Sequence, residues 1–255
     1  MSKYYSGKRK TRIFDPTSAD PFKLSRSKID SFIKCPRCFY LDVRLGVGQP
    51  PSFPFTLNSA VDHLLKKEFD VHRALNEQHP LMQHYNIDAV PFQHPDLDKW
   101  RDSLHAGITY LHTSTNLFIT GGVDDVWVNP TGELIIVDYK ATAKDNKPTL
   151  DAEWQQGYKR QMEIYQWLFR QNNFVVSDTG YFVYCNGKRD AKAFDGKLEF
   201  DIDVISYTGK TDWVEITLRE IKKCLMSDKI PASDPECDFC TYRLAISQLK
   251  VKSLL

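Results

Sequence analysis

The chain lacks any apolar run approaching the ~20 residues a membrane-spanning helix needs, so no membrane partner is expected. Its opening, MSKYYSGKRK, has no apolar segment behind it, so no secretory signal is expected either. A cytoplasmic protein, cytosolic or nucleoid-associated, is the resulting expectation. Internal repeats and low-complexity tracts are also lacking, which leaves ordinary globular packing. Net charge is nearly absent, at +1, and by itself points to no class of partner.

What is present is a chain of 255 residues, long enough for one large domain with a sizeable core. Hydrophobic residues make up 42% and charged residues 26%, ordinary for a globular protein. The small net charge hides an uneven distribution. Residues 1–48 hold eleven Lys/Arg against four Asp/Glu, a surplus of +7 that leaves −6 for the remainder. After Cys240 come Arg243, Lys250 and Lys252 and no acid. Two basic ends that met in the fold would suit phosphates; a solubilising arm is the plainer explanation. Tyr4, Tyr5, Phe14 and Phe22 lie near the basic arm, either to stack bases or to anchor it.

The hydrophobic periods sketch a mixed architecture. Ser27 to Asp30 matches an S-x-x-D helix start, followed by Ile29, Phe32 and Ile33 on one face, and Pro36 restarts the chain as helix through Leu45. A Pro/Gly-dense loop, GVGQPPSFPF, follows. A helix from Asn58 carries Val61, Leu64, Leu65 and Phe69, and a second fits Leu97, Trp100, Leu104, Ile108 and Leu111. The period then shortens. Leu117–Val128 and Glu133–Tyr139 read as strands, Trp154–Gln171 as helix, Gly180–Cys185 and Leu198–Ile205 as strands. A last helix aligns Val214, Leu218, Ile221 and Leu225. Helices, a hairpin, then helix and strands predict an α/β fold around a central mixed sheet.

The hairpin fixes the chemistry. Asn129-Pro130-Thr131-Gly132 suits a three-residue loop, with Gly132 at the left-handed closing position. Asn129 then lies opposite Glu133, and counting outward sets Asp124 opposite Asp138 on one face, roughly 5 Å apart. Lys140 shares that face, opposite Gly122. Like charges placed so destabilise a hairpin unless something compensates. Ile135, Ile136 and Val137 read as a strand buried on both faces, so solvation is not the expected answer for an Asp at its end. A hard divalent cation, Mg²⁺ or Mn²⁺, is. Carboxylate-held cations with a lysine alongside suit phosphodiester hydrolysis.

These residues also resemble a known family. Gly121–Val126 (GGVDDV) followed by Val137–Thr142 (VDYKAT) resembles the core of the PD-(D/E)XK nuclease superfamily. Gln161–Tyr165 (QMEIY) resembles the Q-x-x-x-Y helix of its RecB-like branch, and His63 in AVDHLL its upstream histidine. Leu24–Pro36 and the closing CDFCTYR are similar to segments of CRISPR-associated iron–sulfur exonucleases. D-x-K alone is a weak signal; five motifs in order across residues 24–243 are a strong one. The resemblance implies a restriction-endonuclease-like core in which Asp124, Asp138, the carbonyl of Tyr139 and His63 hold the metal. Lys140 would be the catalytic lysine, and Gln161 and Tyr165 would orient the site or the strand. His63 and Tyr165 each have a plainer role open, as packed side chains.

Cys35-Pro-Arg-Cys38 and Cys237-Asp-Phe-Cys240 are two C-x-x-C pairs, each able to grip one metal. Spacing alone points to tetrahedral Zn²⁺. The resemblance implies a [4Fe–4S] cluster, although its last cysteine would fall near Ile246, where none stands. Cys185 and Cys224, within apolar patterns, are expected in the core. The expected organisation is a basic arm over 1–23 and a single nuclease domain over 24–255, with 24–48 and 227–255 stapled by the cysteines. The expected activity is DNA hydrolysis, as an exonuclease in repair or recombination. A non-catalytic DNA-binding or assembly protein and an RNA nuclease are the alternatives; a zinc-ribbon module would leave Asp124, Asp138 and Lys140 unexplained.

Overall fold

The structure, a computed structural model, describes residues 7–50 and 56–249. Tyr4 and Tyr5 of the basic arm therefore lie outside the described residues. In chain order the elements are β1 (Phe22–Ser25), α1 (Arg26–Lys34), α2 (Pro36–Val43), α3 (Thr56–Leu75), α4 (Pro80–His84), β2 (Val90–Pro91), α5 (Leu97–Arg101), β3 (Ile108–His112), β4 (Leu117–Gly121), β5 (Asp125–Val128) and β6 (Leu134–Thr142). A 3₁₀ turn (Glu153–Gln155), α6 (Gln156–Gln171), β7 (Thr179–Gly187), β8 (Phe200–Thr208), α7 (Asp212–Met226) and α8 (Asp238–Gln248) complete them. Among these, no helix is long and apolar enough to cross a membrane.

Two compact units share the chain. One takes residues 54–110 and 120–212. Its centre is a five-stranded mixed sheet of order β2-β5-β6-β7-β8. β5 and β6 are antiparallel, β6 and β7 parallel, β7 and β8 antiparallel. A parallel pair needs a crossover, and α6 supplies it. Strand alternation gives β6 two distinct faces. Ile135, Val137 and Tyr139 join Leu65 and Phe69 of α3 in one buried cluster with Trp127 and Val183. Asp138 and Lys140 on the other face meet Gln161 and Tyr158 of α6.

The hairpin follows its turn chemistry. Gly132 sits at φ +85°, and its N–H donates to the Asn129 carbonyl at 3.0 Å. The Asn129 side-chain oxygen accepts from the Thr131 and Glu133 N–H groups at 3.1 and 2.9 Å. Asp125 pairs with Val137 and Trp127 with Ile135, the register of a three-residue loop, so residue 124 falls across from residue 138.

The other unit takes residues 1–53, 111–119 and 213–255. In it the N-terminal stretch runs along α2, with Arg9 N–H donating to the Gly46 carbonyl and Phe14 N–H to Val43, both at 2.8 Å. The Asp42 carboxylate takes the charges of Arg9 and Lys28. Phe14 is buried and meets Phe22 edge to face at 5.3 Å, so these two rings anchor the stretch. Val214, Leu218, Ile221 and Leu225 of α7 are fully buried, as their period predicts. A second sheet has the order β1-β4-β3.

Several local expectations need correction. α1 begins at Arg26 after Ser25, not at a Ser27 box: the Ser25 and Ser27 hydroxyls bond each other at 2.9 Å, and Asp30 pairs with Lys34. The helix expected from Leu97 to Leu111 stops at Arg101. There the Asp102 carboxylate accepts from the N–H groups of Leu104 and His105, an Asx turn that competes with helix, and Ile108 starts a strand. The strand expected over Leu117–Val128 breaks at Gly122–Asp124, where Val123 N–H donates instead to the Trp100 carbonyl of α5. Leu64 is 62% exposed, so the buried stripe of α3 runs through Leu65 and Phe69. Cys185 is buried, whereas Cys224 is only partly so.

Phe69 is fully buried and stacks on His79 at 4.1 Å and on Trp127 at 5.4 Å. Phe69→Ala is expected to cost about 3–5 kcal/mol of stability, read from the denaturation midpoint at unchanged slope. A loss below ~1 kcal/mol would show that this cluster does not hold α3 to the sheet.

Candidate active site and cysteine centre

The Asp138 side chain is fully buried at the middle of β6. One of its oxygens accepts from the Gln161 amide at 2.7 Å, and the other is paired with the Lys140 ammonium. Gln161 also donates to the Tyr165 hydroxyl at 3.2 Å, which links two residues one helical turn apart on α6. Tyr165 fits because residue 121 is glycine: a Cβ there would lie 2.7 Å from the Tyr165 ring.

Lys140 is almost enclosed. Burial pushes its pKa down, but the carboxylates of Asp138 and Asp124 outweigh that and raise it, so the amine is a cation at neutral pH. Its Nζ also lies 4.4 Å from the centre of the Tyr158 ring, a cation–π distance. Asp124 stands at the strand break and is partly open, with 23% of its side chain exposed. It accepts from the Tyr139 N–H at 2.9 Å, and Lys66 of α3 lies 3.8 Å from its other oxygen. Lys66 in turn pairs with Asp62 at 2.8 Å. Burial first, and then the Asp124 charge, raise the Asp62 pKa, which sets this carboxylate beside the site.

The structure therefore gathers Asp124, Asp138, Lys140, Gln161 and Tyr165. His63 is on the exposed side of α3, lining an open cleft with Asp62, Lys66 and Arg101. Among the described residues it is not collected with Asp124 and Asp138 into one tight ligand group. Sequence reasoning missed Asp62 and Lys66, whose i,i+4 spacing was the available signal, and Tyr158, one turn before Met162 on α6.

It also missed how the two adjacent aspartates divide their work. Asp125 points away from Asp124 and is fully buried. It takes the guanidinium groups of Arg73 at 2.6 Å and Arg101 at 2.8 Å, and the Tyr139 hydroxyl at 2.8 Å. Arg101 reaches on to the Asp124 carbonyl at 3.2 Å. The buried ion cluster thus fixes the peptides on either side of the site: residue 124 through Arg101, residue 139 through its own ring.

The chain belongs to the PD-(D/E)XK nuclease superfamily. The superfamily model matches residues 23–245, nearly the whole chain, and so spans both the aspartate site and the cysteines. Among curated proteins none matches. The solved structure described as "Crystal structure of SSO0001" is similar over 87% of this chain and 84% of its own, at 17% identity and a TM-score of 0.38. That likeness is too loose to carry an argument. Membership in a nuclease superfamily gives the aspartate–lysine group its chemical context, a phosphodiester. The carboxylate oxygens of Asp124 and Asp138 are of the kind that suits a hard divalent cation.

The second constellation is built from α1–α2 and α8. The ligand atoms of Cys35, Cys38, Cys237 and Cys240 all lie within 4.8 Å of one another. Three sulfur pairs stand 3.6–3.8 Å apart: Cys38 and Cys237, Cys38 and Cys240, and Cys35 and Cys240. Cys35 caps α2, its sulfur accepting the Cys38 N–H. Burial raises its thiol, but the N–H groups of Asp234 and Cys38 and the neighbouring thiols outweigh that and bring it to about 7. Such a group is ready to ligate as thiolate. Four thiolates ~2.3 Å from one tetrahedral ion stand about 3.8 Å apart, the spacing seen here. A cubane puts each thiolate on a different iron and spreads the four sulfurs wider.

Asp125→Asn removes the charge that two buried arginines share. A loss of about 3 kcal/mol in urea unfolding is expected, because the two buried guanidinium groups are then left with only the part-exposed Asp70 carboxylate. A variant as stable as the parent would mean that the cluster is not a fixed support of the site.

Proposed function

We propose that this chain is a Mg²⁺- or Mn²⁺-dependent deoxyribonuclease of the RecB-like branch, acting as an exonuclease on DNA ends or single strands. The observation that carries the reading is the convergence of Asp138, Lys140, Gln161 and Tyr165 behind a partly open Asp124. A binding or assembly protein has no need of a buried lysine–aspartate pair aimed at a second carboxylate, so the catalytic reading is preferred.

In this reading Asp124, Asp138 and the Tyr139 carbonyl hold the cation. A bound divalent ion supplies charge neutralisation at the phosphate and a more acidic water. Lys140, kept cationic by the two carboxylates, holds a phosphate oxygen or the attacking water and offsets the charge that develops. Gln161 orients the Asp138 carboxylate, and the Tyr165 hydroxyl holds Gln161. His63 would complete the shell if α3 turns it inward; Asp62 and Lys66 already stand beside Asp124 on the same helix.

The four cysteines are proposed to bind one Zn²⁺ as a staple of residues 24–48 to 227–255 within a single nuclease domain. The sulfur spacing supports this over the [4Fe–4S] cluster that the resemblance implies. DNA repair or recombination in the cytoplasm is the proposed setting.

Purified protein is expected to degrade linear and single-stranded DNA with Mg²⁺ or Mn²⁺, to spare circular duplex, and to act on DNA in preference to RNA. Lys140→Ala and Asp138→Asn should each reduce the rate by about 10²–10³-fold or more while the protein stays folded. If no form of DNA is cut by the metal-loaded parent, or Lys140→Ala cuts as fast, the reading fails. Elemental analysis should give one zinc per chain and a colourless protein. A brown protein with iron in fourfold excess would establish the cluster instead, and neither metal would remove the staple.

A further inference from the structure

One exposed aromatic pair stands next to the catalytic lysine without a packing role to explain it. Trp154, in the 3₁₀ turn before α6, is 55% exposed. Its ring meets that of Tyr158 at 5.4 Å, nearly perpendicular. The Lys144 ammonium lies 4.7 Å from the Trp154 ring centre, and Lys140 lies 4.4 Å from that of Tyr158. The four side chains form a row, Lys144, Trp154, Tyr158, Lys140, with a lysine at each end of the aromatic pair, which runs from open surface to the Asp138 carboxylate.

The row is held on a firm base. Gln155, the residue after Trp154, is buried; its amide donates to the Thr149 carbonyl and to the Tyr184 hydroxyl, and its oxygen accepts the Ala152 N–H at 2.9 Å. The turn is thereby tied to the sheet, and the indole is left facing outward. Tyrosine at 158 heads the buried row Met162, Tyr165 and Phe169 of α6 but is itself only partly covered.

We propose that Trp154, braced edge to face by Tyr158, is a stacking platform for an unpaired base of a single-stranded DNA end, which it directs toward Lys140. An exposed indole beside the Lys144 ammonium offers a base its π-surface and a flanking phosphate its counter-charge. Bases inside a duplex are stacked on each other and present no face to it, so the platform selects unpaired nucleotides. Trp154 thus acts as a binding and specificity residue. The inference rests on the nuclease reading for the direction in which the strand runs.

The test is fluorescence anisotropy of a labelled oligothymidine, and of the same oligonucleotide with abasic sites, on the full chain with Ca²⁺ in place of Mg²⁺. The parent should bind the base-bearing strand about tenfold or more tighter than the abasic one. Trp154→Ala should lower the base-bearing affinity to the abasic level, and Trp154→Phe should restore most of it. Equal affinity of the parent for both strands overturns the platform, as does Trp154→Ala binding thymidine as tightly as the parent. Cleavage without this base dependence removes the platform alone. Base dependence in a protein that cuts nothing keeps the platform and removes the nuclease reading.

Discussion

Two carboxylates set face to face by a hairpin repel each other, and most of what surrounds the site can be understood as the answer to that repulsion. The register of β5 and β6 leads to it: with Asp125 opposite Val137 as the last pair, residue 124, just before the strand, falls across from residue 138. Lys140 neutralises Asp138 from the same strand, and Lys66 approaches Asp124 from α3. Both ammonium groups stand where a divalent cation would share the same oxygens.

Rigidity comes from the neighbouring residues. Asp125, turned the other way by strand alternation, gathers Arg73, Arg101 and the Tyr139 hydroxyl into a buried cluster. Burial, and after it the charge of Asp125, pushes the Tyr139 hydroxyl well above its ordinary pKa, so it stays a donor to that carboxylate at any physiological pH. Of these adjacent aspartates, Asp124 is partly open toward Lys66 and Asp125 is buried as a support, the two separated by a single peptide. The four cysteine sulfurs gather elsewhere in the chain, within 4.8 Å of one another, from segments that are far apart in sequence.

The hairpin was legible because its turn is written in side-chain chemistry: Asn129 caps the loop with its amide oxygen and Gly132 accepts the left-handed angle. The faces of α6 and α7 were legible because their apolar periods are strict and their buried sides are wide. The segment 97–111 was not, because its apolar spacing suits a helix, whereas Asp102 diverts the backbone after Arg101 and Ile108–His112 pairs as strand. The role of Asp125 could not be assigned in advance, since its arginine partners come from other segments of the chain, Arg73 at a separation of 52 and Arg101 at 24. Trp154 was visible only as the start of a helix; its exposure beside Lys144 is a property of the folded turn.

The most direct measurement is a crystal structure of the protein soaked with Mn²⁺, with anomalous scattering used to place the metal. The account predicts one strong site that touches carboxylate oxygens of both Asp124 and Asp138, with the Lys140 amine moved off Asp138. Manganese bound elsewhere, or an unchanged Asp138–Lys140 pair at saturating metal, would contradict it.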